Sequence, residues 1–144
     1  MGYDIDLIFN ENENQDYKTV VEKFSRLGAI KRDDEHYHPE TDNIVVMDLP
    51  GFYPIWVYKK EQTQDMKGNW AYIRISWAED SEEMISCLTD IMNLAGKVGC
   101  RVYDGQIKQF VNRETIDKVE AAHGKAGRMV INMLGACNNS GSET

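Results

Sequence analysis

Clustered carboxylates are the side chains whose spacing comes closest to an acid–base or metal site in this sequence. The stretch WAEDSEE, residues 77–83, holds four of them, at Glu79, Asp80, Glu82 and Glu83. Paired carboxylates can do acid–base work when their environments push their pKa values apart. The same residue types cap helices and interact favourably with the helix dipole. Because no phosphate-binding glycine loop accompanies them, we predict a helix start here and assign no catalytic residue.

A histidine pair in EHYHPE, residues 35–40, is the second candidate. His36 and His38 lie in a polar stretch between Glu35 and Glu40. A zinc site needs three or four ligands that converge on the ion, and nothing else in the sequence fixes a third ligand. We therefore interpret the pair as solvated and assign no metal and no cofactor.

The cysteines and the familiar catalytic motifs supply no nucleophile. The sequence has three cysteines, Cys87, Cys100 and Cys137, and no CxxC, which favours a reducing compartment over a disulfide framework. His123 has no cysteine or serine partner that spacing would indicate, and GxSxG, HExxH, P-loop and GxGxxG motifs are absent. These observations favour a protein that is not an enzyme and leave the question of catalysis open.

Composition limits the class of protein further. The 144 residues carry 24 acidic and 16 basic side chains, a net charge of −8, which argues against binding to phosphate backbones. No apolar run is long enough to span a membrane, and MGYDIDLIF lacks the basic region of a signal peptide. We expect a cytoplasmic protein with one domain over residues 1–136 and a disordered tail over 137–144.

The periodicity of apolar residues gives the predicted elements. Tyr3 to Phe9 alternates as a half-buried strand, and residues from Tyr17 to Leu27 repeat at helical spacing before Gly28. Further strands are predicted over residues 44–49, 52–60, 70–77, 100–103 and 107–111, and further helices from Asp80 or Ser81 to about Gly96 and from Thr115 to about Leu134. In the last helix, Ile116, Val119 and Ala122 lie on the predicted apolar side.

The order of these elements predicts an α+β fold. Without the strands at 44–49 and 107–111 it reads βαββαβ, the ferredoxin-like split β-α-β unit, followed by an additional C-terminal helix. We expect a four-stranded antiparallel sheet with both main helices on one face. Strand 70–77 would lie between the first strand and strand 52–60. A longer sheet that includes residues 44–49 is the main variant.

Alternation along these strands places large polar and aromatic side chains on the face opposite the helices, here called the second face. Ile73, Ile75 and Trp77 would face the helices. The candidate binding residues on the second face are Trp56, Tyr58, Trp70, Tyr72, Arg74, Arg101 and Tyr103, with Asp4 and Asp6 beside them.

Four interpretations of the second face remain open. The C-terminal helix or part of segment 31–51 could cover it, because large exposed apolar patches are uncommon. It could be an interface with another protein or a second copy, since Trp, Tyr and Arg dominate binding hot spots. Arg74 and Arg101 could hold an anionic small molecule. Stacking of single-stranded nucleic acid fits least well, because no RNP1 pattern is present.

The stretch LAGKVGCRVYDGQIKQFVN, residues 94–112, resembles the C-terminal part of several small uncharacterised bacterial proteins, some of them toxin-immunity-like. The match is carried by Gly99, Val102, Tyr103, Asp104 and Gln106. The resemblance implies a non-catalytic cytoplasmic protein that blocks a partner, and an acidic inhibitor of a basic toxin would suit the net charge. We therefore expect a protein-binding domain, and the alternative is a binder of anionic small molecules or an enzyme that uses the second face.

Overall fold

Seven strands form one antiparallel sheet in the computed structural model, which describes residues 2–10, 15–32, 43–76 and 81–123. The strands are β1 (Gly2–Phe9), β2 (Ile30–Lys31), β3 (Ile44–Asp48), β4 (Ile55–Gln62), β5 (Asn69–Ser76), β6 (Cys100–Asp104) and β7 (Gln109–Phe110). The helices are α1 (Tyr17–Ser25), α2 (Ser81–Val98) and α3, which begins at residue 116 and is described to residue 123. Neighbouring strands follow the order β2-β3-β4-β5-β1-β6-β7.

The sheet is wider than the four strands expected, so its overall strand order differs from that prediction. The α+β class is confirmed, and β5 lies between β1 and β4 as expected. Strand β3 joins the sheet, as in the longer variant. Strands β2 and β7 extend it by two residues each, and β2 is too short to leave an alternating pattern in the sequence.

Helix α1 shows how local sequence sets an element's limits. The Asp16 side chain accepts hydrogen bonds from the backbone N–H and the hydroxyl of Thr19, both at 2.8 Å, and so caps the first turn. The helix ends at Ser25, before the position predicted from Gly28. Gly28 instead lies in the turn after it with a φ of +99°, while the Ala29 N–H donates to the carbonyl of Phe24.

The core lies between the sheet and the helices. Ile5, Leu7 and Ile73 are fully buried under Phe24 of α1 and Leu88 of α2, so both helices cover one face, as alternation predicts. Full burial of a side chain of this size contributes roughly 1.5–3 kcal/mol. This packing fixes the sheet's orientation, and the alternate residues of the same strands must therefore point to the second face.

The described part of α3 packs on the helix side of the sheet. Val119 is fully buried in the core cluster, and Ile116 packs against that cluster. Ala122, predicted to lie on the apolar side, is exposed, and His123 is the side chain that turns inwards at this end. The described residues of α3 therefore do not cover the second face.

Several predictions fall on residues outside the described ranges. They concern the core position of Trp77, the carboxylates Glu79 and Asp80, the pair His36 and His38, Cys137, the last helix beyond residue 123 and the tail over 137–144. Within the described ranges, no helix combines the length and apolarity needed to cross a membrane.

Candidate binding face

One row of paired residues crosses the second face from β3 to β7. The strand register places Val46 opposite Trp56, Trp56 opposite Tyr72 and Tyr72 opposite Asp6. On the far side of β1, Asp6 pairs with Tyr103, which pairs with Phe110. We call these six residues the Asp6 row. Directly opposed side chains in a sheet touch, so the row surrounds one carboxylate with aromatic rings on both sides.

The rings in the Asp6 row bury one another. Trp56 stacks on Tyr72 with centroids 5.8 Å apart and an interplanar angle of 11°, and Tyr58 lies 5.4 Å from the same ring. Tyr72 is consequently only 8% exposed, whereas Trp56 and Tyr58 remain half-buried. The surface available to a partner is therefore the outer edge of the Trp56 and Tyr58 rings.

The carboxyl of Asp6 has an unusual environment. Burial and the nearby charge of Asp4 raise its pKa from the usual 3.8 to about 6, and Asp104 and Asp65 push it in the same direction. A hydrogen bond from the Asn69 side chain opposes the shift without cancelling it. Asp6 is thus a proton-binding group with a pKa of about 6, and none of the cations in the described ranges forms an ion pair with it.

Tyr58 extends this environment towards solvent. Burial, followed by the negative charge of Asp6, raises the pKa of its phenol above the usual 10. The hydroxyl therefore keeps its proton at neutral pH and can serve as a hydrogen-bond donor or acceptor. Together with Asp4 and Asp6, it forms the polar margin of the aromatic surface.

Arg74 is engaged by a carboxylate. Its Nε donates to Asp4 Oδ1 at 2.9 Å, and a second guanidinium nitrogen donates to Asp4 Oδ2 at 3.4 Å. This hydrogen-bonded pairing raises the pKa of Arg74 above its usual range. Both side chains are about half exposed to solvent, and exposed ion pairs of this kind contribute 1 kcal/mol at most, as an order of magnitude.

Arg101 lies in a different part of the second face. Its guanidinium carbon is 3.7 Å from the centroid of the Phe110 ring. Arg74 lies opposite Asp4 on β1 and Arg101 opposite Ile8, on the two strands that flank β1. They are therefore about 13 Å apart along the strand direction and about 10 Å apart across the sheet. The two arginines therefore do not converge on one anion, contrary to the arrangement that the ligand interpretation required.

Trp70 is not on the second face, which corrects the prediction from alternation. It is 8% exposed and belongs to the core cluster on the helix side. The register of β1 and β5 shifts at this point, because Leu7 pairs with Ala71 but Ile8 pairs with Asn69. One additional residue on β5 interrupts the strict alternation of side chains, so the pattern of a regular strand misplaces Trp70.

Sequence reasoning also missed several neighbours of Asp6. Gly105 follows β6 beside it, and a Cβ at that glycine would lie 3.5 Å from Asp6 Oδ2 and 3.9 Å from Asp65 Oδ2. Asp65 comes from the connection between β4 and β5 and Asn69 is the first residue of β5, a stretch that the sequence identifies only as a turn. No group of three or more potential metal ligands occurs among the residues that the structure describes.

The buried pair of Asp104 and His123 was likewise missed. His123 Nε2 lies 2.5 Å from Asp104 Oδ2, and both residues are almost fully buried. Asp104 also accepts a hydrogen bond from the Gln106 N–H at 2.9 Å. The polar turn DGQ thus anchors α3 to the sheet, a contact that no local spacing could reveal.

Comparisons of this chain with protein-family models, with curated proteins and with solved structures find no match.

Proposed function

We propose that this chain is a non-catalytic protein-binding domain whose second face receives a positively charged partner. The observation that carries the proposal is the Asp6 row, in which a carboxylate with no ion-pair partner among the described residues lies among aromatic rings. The outer edges of Trp56 and Tyr58 supply rigid contact area beside it. Aromatic residues of this kind provide much of the binding energy at protein interfaces.

Charge complementarity supports a basic partner. The negative charges of Asp4 and Asp65 raise the proton affinity of Asp6, even though Asp4 is paired with Arg74. An incoming Lys or Arg side chain would stabilise the ionised form and could stack on the exposed ring of Trp56 or Tyr58. The net charge of −8 would speed the encounter with such a partner.

An inhibitory role follows from this chemistry and from the resemblance of residues 94–112 to immunity-like bacterial proteins. A domain that covers the basic surface of a toxin would block it without performing a reaction. Neither of the two described cysteines, Cys87 and Cys100, is in a disulfide, in keeping with our proposal of a cytoplasmic location.

The alternative function, binding of an anionic small molecule by Arg74 and Arg101 on the second face, is less well supported. Arg74 is held by Asp4, so it is not available to an anion without breaking that pair.

For the fold, we propose that the central neighbours β4-β5-β1-β6 derive from a split β-α-β unit, extended at one edge by β2 and β3 and at the other by β7.

The test is direct binding to purified proteins encoded beside this gene. We expect one basic protein to co-sediment with the chain, and we expect Trp56→Ala and Tyr58→Ala each to weaken that complex by about tenfold or more. Lys97→Ala is the control, because its side chain is exposed on α2, a helix on the opposite side of the sheet.

Three results would contradict the proposal. A complex that tolerates both aromatic substitutions would place the interface elsewhere. A chain that sediments as a monomer in the presence of every one of these proteins would remove the case for protein binding. A stable dimer of the chain alone that Trp56→Ala dissociates would assign the face to a second copy.

A further inference from the structure

A cleft opens at one end of the sheet, beside the Asp6 row but separate from its Trp56 side. It measures about 690 Å³ and lies where β1 ends, where β4 connects to β5 and where α2 meets β6. The residues that matter for its chemistry are Ile8, Phe9, Met66, Lys67, Arg101 and Phe110. A volume of this order is typical of small-molecule sites.

Two cations line this cleft, and neither is neutralised within the described part of the chain. Arg101 and Lys67 are exposed, and neither takes part in the ion pairs found among described residues. Asp65 also lines the cleft, but its Oδ2 lies near Gly105, and its charge acts on Asp6. Positive charge in the cleft is therefore available to a ligand.

The guanidinium of Arg101 is already oriented. It lies 3.7 Å from the centre of the Phe110 ring, and stacking of this kind restricts the side chain while it leaves the N–H groups at the edge of the guanidinium plane. Such a fixed edge matches the two oxygens of a carboxylate or the oxygens of a phosphate.

Apart from Asn10 and Asp65, the other side chains that line the cleft are apolar. They include Ile8, Phe9, Met66 and Phe110. Cys100 also borders the cleft, but burial raises the pKa of its thiol to about 12, so it stays protonated and is a poor nucleophile. The site is suited to binding and has no reactive group of its own among these residues.

We propose that this cleft binds a small organic anion with a flat apolar body and a single carboxylate or phosphate. The anionic group would lie on Arg101 and Lys67, and the apolar body would contact Phe110, Ile8 and Met66. This site does not depend on the protein partner proposed above, because it uses none of Trp56, Tyr58 and Asp6.

Titration of the full chain with benzoate and with phenyl phosphate, followed by amide chemical shifts, tests the proposal. We expect saturable binding of at least one of them, with shifts at residues 8–10, 66–68 and 99–101, and the tighter of the two identifies the preferred anionic group. Benzyl alcohol and inorganic phosphate are the matched probes that lack the charge or the ring, and neither should saturate the site.

Substitutions connect the binding to the named residues. Arg101→Gln should weaken it by about tenfold or more, because a bidentate charged contact is lost, and Lys67→Gln should weaken it by a smaller factor. Arg26→Gln and Lys118→Gln remove exposed cations outside the cleft and should leave it unchanged. Phe110→Leu keeps an apolar wall but loses the ring, so it should weaken binding even where the fold is intact.

Three outcomes would overturn the proposal. The first is the absence of saturable binding by either anion up to about 10 mM, beyond the range of a specific site. The second is equal binding of benzyl alcohol, which would make the charge irrelevant. The third is unchanged affinity in a folded Arg101→Gln variant.

Discussion

The carboxyl of Asp6 has a pKa of about 6 in the folded chain, against 3.8 for an ordinary aspartate. The folded state therefore holds this proton more tightly than the unfolded state. Its contribution to the free energy of unfolding is fully present below pH 3.8 and is lost as the pH rises through about 6. At neutral pH the ionised carboxylate of Asp6 lowers the free energy of unfolding, and the positive charge of a basic partner would offset this loss.

Asp6→Asn should raise the free energy of unfolding at pH 7 by about 1–2 kcal/mol, a value discounted for the partial exposure of the group. The amide can still accept the hydrogen bond from Asn69, but it carries no charge. At pH 4 the same substitution should change stability little, because Asp6 is then mostly protonated. Urea unfolding at the two pH values measures the difference.

Asp90→Asn serves as the control for this comparison, since Asp90 is an exposed carboxylate on α2. It should alter the pH dependence between 4 and 6 much less than Asp6→Asn. An equal gain in stability from Asp6→Asn at both pH values would show that charge at Asp6 is not the cause.

At the scale of elements, periodicity located the long strands, α1 and α2, and geometry absent from the sequence supplied the rest. Ile5, Leu7 and Ile73 follow strict alternation and lie in the core as expected. Trp70 departs from it because the register of β1 and β5 shifts beside it. The contact of Asp104 with His123 joins the last residue of β6 to α3, so no period in the sequence encodes it.

Gly68, in the turn that leads into β5, has little room for a side chain. Its φ is +84°, and an added Cβ would lie 2.1 Å from the carbonyl oxygen of Phe9. Gly68→Ala should therefore lower the free energy of unfolding by about 3 kcal/mol or more, through backbone strain and the clash. Gly96→Ala is the control, because a Cβ there meets nothing within 4 Å and alanine favours the helix.

Thermal unfolding of the two glycine variants separates these cases. We expect a large fall in Tm for Gly68→Ala and an unchanged or slightly raised Tm for Gly96→Ala. Equal Tm values would mean that the β4–β5 turn can shift away from β1 without loss, against the 2.7 Å hydrogen bond from the Phe9 N–H to the Gly68 carbonyl.

The role of His123 in holding α3 against the sheet can be tested by substitution. His123→Ala should lower the free energy of unfolding by about 1–3 kcal/mol, because buried Asp104 loses a hydrogen-bond partner. Amide hydrogen exchange should accelerate most at residues 116–123. Ala122→Ser, at an exposed position on the same helix, should change exchange little, and uniform acceleration across the sheet in His123→Ala would contradict a local anchoring role.

On the scale of the whole molecule, a net charge of −8 should act mainly on association. We expect the association rate with a basic partner to fall steeply as salt rises from about 0.05 to 0.5 M, since long-range attraction is screened. Affinity should also fall as the pH drops through about 6, where Asp6 gains its proton. Stopped-flow binding with wild type and Asp6→Asn measures both dependences.

Asp6→Asn should retain the salt dependence while losing most of the dependence on pH near 6. A complex whose association rate is insensitive to salt would contradict electrostatic attraction to the second face. If the affinity of Asp6→Asn still depends on pH near 6, a group other than Asp6 is responsible for that dependence.

The interior position of β1 in the sheet has a consequence for how the chain is made. Its two neighbours, β5 and β6, are synthesised long afterwards. The contact between Asp4 and Arg74, for example, joins residues that are 70 positions apart in the sequence. Until residue 104 has left the ribosome, at least one edge of β1 has no partner from its own sheet. Such distant pairings slow folding and expose strand edges to other chains. The period of greatest vulnerability to aggregation should therefore fall during translation, before β6 closes the sheet against β1.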